Sequence, residues 1–161
     1  VGRGLTGASY LEDVEAQVQV PELIKALRIP AVKADGKIRV DLERLKMNAK
    51  TVTEADGVVG WFGAATRFPQ SLELGDLVMR LETVAEGIKG TLEDGGGPLE
   101  ANGDLLIKPN GQYRFQGRFA ARDGANSQLG RALRMMGRPG RRGKIEVSQS
   151  GQLTDFGFLF R

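Results

Sequence analysis

Five times along this chain a small polar residue precedes a glycine and a run of alternating apolar and polar residues. The pairs are Asp35-Gly36 before "KIRVDL", Asp56-Gly57 before "VVGWFG", Asn102-Gly103 before "DLLI", Asn110-Gly111 before "QYRFQGRF" and Ser150-Gly151 before "QLTDFGF". Such pairs supply the positive φ that tight hairpins need, and the runs beside them have the period of strands. The recurrence predicts an antiparallel β-meander. Clean period-two faces support it: Val14, Ala16, Val18 and Val20; Ile38, Val40 and Leu42; and Tyr113, Phe115, Gly117 and Phe119 against Arg114, Gln116 and Arg118. A sheet apolar on one face must cover that face or curl around it.

The alternation slips by one residue in two places, from Leu42 to Leu45 and Met47, and from Leu72 and Leu74 to Leu77, Met79 and Leu81 across Gly75-Asp76. A slip inside a strand-like run is the mark of a bulge, which bends and twists the sheet. Two segments have helical character. "PELIKAL" starts on Pro21 followed by Glu22, predicting a short helix near 21–28. "ANSQLGRALRMMG" sets Leu129, Ala132, Leu133 and Met136 on one stripe and stops at Gly137, predicting an amphipathic helix near 125–136. "GRPGRRG", 137–143, reads as a loop, and no low-complexity linker divides the chain. The expected fold is mainly β, a strongly curved antiparallel meander with bulges and two short helices, in one domain over 1–161.

A chain of 161 residues can bury a core without metals or disulfides, and its 23 glycines, roughly double the usual share, fit many turns. It has no cysteine and no histidine. The commonest general base, the commonest zinc ligand and any thiolate site are therefore missing. Charge is divided unevenly: residues 1–111 hold 13 Lys/Arg against 17 Asp/Glu, and residues 112–161 hold 10 against 3. No run approaches the length of a membrane span, and the start at Val1 has neither an initiator Met nor a signal-peptide pattern, so a soluble fragment is expected.

Several motifs invite chemistry. Gly2, Gly4 and Gly7 spell G-x-G-x-x-G, but a dinucleotide fingerprint must follow a strand and open a helix, and here neither context exists. "GRPGRRGKI" differs from a P-loop in spacing, in Ile145 where Ser or Thr should stand, and in the helix before it. Gly95-Gly96-Gly97 could cradle phosphate, yet Glu93 and Asp94 in front would repel an anion and Pro98 leads into a strand, which favours a corner. Glu12 with Asp13, and Glu93 with Asp94, are strand neighbours pointing to opposite faces, unsuited to shared acid–base work. Trp61 between glycines suits core packing better than a ligand platform.

Two candidate surfaces remain. Arg131, Arg134, Arg138, Arg141, Arg142 and Lys144 form a basic cluster. With no stacking aromatic among them, it suits a solvated face, an acidic protein or anionic head groups rather than nucleic acid. Tyr113, Phe115 and Phe119 line an apolar face that could hold a lipid or another apolar ligand. No catalytic residue, cofactor or metal ligand is expected, and no nucleic-acid partner.

The order of several phrases resembles the C-terminal half of the type II secretion system protein N family: Leu74-Gly75-Asp76, Gly96-Gly97-Pro98-Leu99, Phe115-Gln116-Gly117 and Leu133-Arg134-Met135-Met136-Gly137. The similarity runs from about Asp56 to Leu153 and is thin before it. The phrases are turn and packing motifs, none of them catalytic. The resemblance implies an accessory, non-enzymatic component of a Gram-negative secretion apparatus. It also implies a periplasmic domain, tethered to the inner membrane by an N-terminal anchor that this chain lacks, with other secretion-system proteins as partners. A fold-level likeness to the curved lipid-holding sheets of AsmA-like envelope proteins implies lipid as the alternative partner.

Overall fold

The computed structural model describes residues 2–3, 9–27, 33–48, 51–68, 70–124 and 127–152. Among these residues ten strands and two helices follow one another: β1 (Gly2–Arg3), β2 (Ser9–Gln19), α1 (Val20–Leu27), β3 (Lys33–Met47), β4 (Val52–Phe68), β5 (Leu72–Val84), β6 (Gly87–Asp94), β7 (Leu99–Ile107), β8 (Gln112–Ala121), α2 (Ser127–Met136), β9 (Arg138–Pro139) and β10 (Ile145–Gln152), with a 3₁₀ turn at Arg141–Gly143. All the strands join one antiparallel sheet in the order β1-β2-β3-β4-β5-β6-β7-β8-β10-β9. Chain order and sheet order coincide as far as β8, which is the meander that the alternating runs predict. The sheet does not close: β1 stands at one edge and β9 with β10 at the other. Among the described residues no helix is long and apolar enough to cross a membrane.

The Asx-Gly pairs do less turning than their sequence suggests. Only Asn110-Gly111 sits in a hairpin, where the Lys108 amide donates to the Gln112 carbonyl at 2.8 Å and the Gly111 amide to Lys108 at 2.9 Å. Asp35-Gly36, Asp56-Gly57, Asn102-Gly103 and Ser150-Gly151 all lie inside strands. Two of these still use the glycine's freedom. Gly36 (φ 113°) falls where the β3–β4 register shifts between Asp35 and Lys37, and Gly57 (φ 143°) faces the shift between Leu42 and Arg44. A bulge built on glycine uses positive φ as a hairpin turn does, so the local signal is shared.

Both phase slips correspond to bulges. The first is the shift between Leu42 and Arg44, and the second lies in the β4–β5 pairing, where the register moves between Trp61 and Ala64 and again between Ala64 and Ala65. The Gly63 amide, turned out of the ladder there, donates to the Asp76 carboxylate at 2.8 Å. These slips keep the apolar positions of long strands on one side while the sheet bends.

Helix α1 begins one residue before Pro21, and buried Val20, expected to end a strand, is its first residue. Helix α2 lays Leu129 and Leu133 onto Leu99, Ala101 and Ile145, with Phe119, Ala121 and Val147 around them, and this is the core cluster of the molecule. Met136, expected on the same stripe, is exposed, as is Met135. Leu133 packs into the core cluster, while Met136 one turn further on stays exposed among the described residues. Gly137 then lets the chain pass directly over β10: a Cβ there would stand 2.3 Å from the Glu146 carbonyl oxygen. The loop expected at 137–143 contains β9 and the 3₁₀ turn. The C-terminal "DFGFLFR" and the glycines at 4 and 7 lie outside the described residues.

Candidate functional site

Strand register builds a face that no single segment announces. Following the pairings from β2 to β10, Val18 meets Ile38, which meets Trp61, then Leu77; Val40 meets Val59, then Met79, then Leu92; and Leu105 meets Phe115. Alternation puts these residues on one side of the sheet, with Arg39, Asp41, Arg80, Lys89, Asp104, Arg114 and Arg118 on the other. The apolar side thus extends across the seven strands from β2 to β8, and the helix contribution to the core cluster comes from α2 at the Leu99–Ile145 end.

Tyr113, Phe115 and Phe119 lie on this apolar side, as their spacing requires. Glycines on adjoining positions let the rings lie flat. A Cβ on Gly103 would stand 2.9 Å from the Phe115 ring, one on Gly117 would meet both Phe115 and Phe119, and one on Gly151 would meet Tyr113 at 3.0 Å. Aromatic rings laid over neighbouring glycines shield backbone that has no side chain of its own. Phe115 and Phe119 are tilted neighbours with centroids 6.4 Å apart. The three do not share one fate, because Phe119 joins the core beneath α2 while Tyr113 borders a shallow depression of about 470 Å³ with Leu106, Lys108, Arg114 and Gln152.

The triple glycine is a corner between β6 and β7, and two of its three amide donors are engaged within the protein. Gly95 donates to the Asp76 carbonyl at 2.9 Å, and Gly96 to Asp94 Oδ1 at 2.9 Å. Asp94 Oδ2 also accepts from the Ala101 amide at 2.8 Å, and Arg122 binds Asp94 Oδ1 while its Nε donates to the Gly97 carbonyl at 2.9 Å. Burial by itself would raise the Asp94 pKa, but the Ala101 and Gly96 amides and the Arg122 charge outweigh it and hold the carboxylate below its ordinary range. Here the acid is an internal brace. Gly75 and Gly97 cross so closely that a Cβ on Gly75 (φ 90°) would lie 2.9 Å from the Gly97 Cα.

A second carboxylate braces β4 to β5. Asp56 accepts from the Thr83 amide at 2.9 Å and hydroxyl at 2.8 Å, with Arg44 at 3.4 Å. Desolvation opposes its ionisation, and the Thr83 hydrogen bonds with the Arg44 charge reverse the balance and lower its pKa. Nothing in the local sequence pairs Asp56 with Thr83 or Asp94 with Arg122, 27 and 28 residues apart. Both were invisible to spacing arguments. Trp61 is half-buried, its indole lying over Gly36 and its N–H donating to the Asp35 carbonyl at 2.9 Å, a packing role. Glu12 accepts from the Tyr10 hydroxyl at 2.9 Å. Among the described residues, no group of three potential ligands is placed to hold a metal ion.

The basic cluster is partly assembled in space. Arg134, Arg142 and Lys144 border a crevice of about 460 Å³ between α2, the 3₁₀ turn and β10, together with Glu100, Asp123 and Leu133. Lys144 is tied to Glu100 at 2.9 Å, which removes it from the free charge. Arg131, Arg138 and Arg141 are exposed around the same corner without lining the crevice.

The fold and its surfaces define a class first: an open antiparallel β-sheet module whose accessible features are faces, edges and a basic corner. The family profile of type II secretion system protein N matches residues 1–148, and the chain belongs to that family. It is 23% identical over 154 residues to the type II secretion system protein N of Aeromonas hydrophila, covering 93% of this chain and 61% of that protein. It is 24% identical over 161 residues to the protein of the same name from Pectobacterium carotovorum, covering 94% of this chain and 63% of that protein. The chain therefore spans less than two thirds of the length of these relatives. No solved structure gives a significant match.

Proposed function

We propose that this chain is a periplasmic assembly domain of the type II secretion machinery, a non-enzymatic platform that binds other components of the apparatus. Membership of the protein N family supports the setting. The observation that carries the platform reading is the open sheet. β9 pairs with β10 only at Ile145 and Glu146, so the outer edge of β10 from Val147 to Gln152 has no strand beside it among the described residues. An edge of that kind receives an extended segment of a partner through main-chain hydrogen bonds. The test is affinity purification of the tagged chain from a Gram-negative cell actively secreting by this route. Recovery of secretion components is expected; recovery of none contradicts the reading.

A second reading is favoured by the apolar side itself. Val40, Val59, Met79 and Leu81 are only half-buried there, and a continuous apolar surface of this width suits a lipid chain. Native mass spectrometry followed by organic extraction decides it. Bound lipid would add a cargo to the platform, and a clean unliganded mass would remove the lipid reading.

A further inference from the structure

The end of α2 presents an unusual combination. Met135 is 86% exposed and Met136 69%, the two most exposed large apolar side chains among the described residues. Successive helical positions are about 100° apart, so the two side chains leave the helix end in different directions, both into solvent. Around it stand five guanidinium groups. Arg131 and Arg134 precede Met135 by four residues and one on the same helix, Arg138 follows on β9, and Arg141 and Arg142 occupy the 3₁₀ turn. Arg134 and Arg142 border one crevice, so the turn and the helix end form a single corner. None of the five has an ion-pair or hydrogen-bond partner among the described residues, whereas Arg44, Arg67, Arg122 and Lys144 are all paired with carboxylates.

We propose that this corner docks on the surface of an anionic lipid bilayer. Guanidinium groups without internal partners are free to take phosphate oxygens in forked hydrogen bonds. Two flexible, unbranched apolar side chains exposed at a helix end can enter the boundary between head groups and acyl chains, which yields to them where a folded protein surface would need a matching pocket. Charge attracts the corner, and the methionines hold it. The site is distinct from the apolar side of the sheet and from the β10 edge, and does not depend on the assembly role.

The experiment is co-sedimentation of the purified chain with vesicles of phosphatidylcholine alone or mixed with phosphatidylglycerol. The chain should bind the mixed vesicles and not the neutral ones, with affinity falling as salt is raised. The Arg131→Gln/Arg134→Gln variant should lose affinity by about tenfold or more. Met135→Ser/Met136→Ser should bind more weakly and wash off at lower salt, while Arg80→Gln, an exposed arginine on β5, should behave as the parent. All the substituted side chains are exposed, and an unchanged thermal unfolding curve shows that folding is intact. Absence of binding to the mixed vesicles, equal binding to both kinds, or corner variants that bind like the parent would each overturn the proposal. So would retention on polyglutamate that the arginine variant loses without any vesicle binding, which would make the partner an acidic protein.

Discussion

Single residues set the geometry at the crossings of this sheet, and Asp94 is the clearest case. It holds the Gly95–Pro98 corner to β7 and to Arg122 through several hydrogen bonds from a largely buried position. Asp94→Ala should cost about 1–3 kcal/mol in urea denaturation, since it leaves the part-exposed Arg122 guanidinium and the Ala101 and Gly96 amides without their acceptor. The pH dependence follows from the sign of its shift. A carboxylate with its folded pKa below the ordinary value of 3.8 contributes stability that is complete above that value and is lost as pH falls through the folded pKa. Asp56 acts in the same direction. The denaturation midpoint should therefore drop on acidification below about pH 4, and Asp94→Asn should flatten that drop. Gly137→Ala, which would force a Cβ to 2.3 Å from the Glu146 carbonyl, should cost about 1–3 kcal/mol.

Elements were legible where periodicity governs and misread where one local signal serves two structures. The long strands, the bulges at the two phase slips and both helices follow from alternation, phase slips and helix signals in the sequence, whereas β9 falls where the sequence reads as a loop. The Asx-Gly pairs misled for two reasons: at Gly36 and Gly57 a bulge uses the positive φ that a hairpin turn also uses, and at Gly103 and Gly151 the glycine makes room for the rings of Phe115 and Tyr113. Met136 misled for a different reason: helical spacing gives a stripe but not how far the opposing surface extends. Helix α2 supplies the test. Leu129→Ala, at a residue 2% exposed against Leu99 and Ile145, should cost about 2–5 kcal/mol, whereas Met136→Ala should stay within about 0.5 kcal/mol. Equal losses would mean that the helix end is covered. The paired acids Asp56 and Asp94 lay beyond sequence reasoning altogether, because their partners come from strands brought beside them by the meander.

At the scale of the whole molecule, the sequence excluded more chemistry than it assigned. The lack of histidine and cysteine and the failed phosphate motifs pointed away from familiar enzymes, and the ordered turn phrases pointed to the protein N family, which the profile match over residues 1–148 establishes. The width of the apolar side emerged only from register, which joins short runs too weak to signify alone. The uncovered part of the β10 edge is likewise a property of the assembled sheet. If the domain is an assembly platform, that edge is where a partner strand enters. A photo-crosslinking residue introduced at Ser148, midway along it, should form adducts with a component of the secretion machinery in secreting cells, while the same residue at Arg80 should form few or none. No adduct at Ser148, or equal labelling at both positions, would contradict the platform reading.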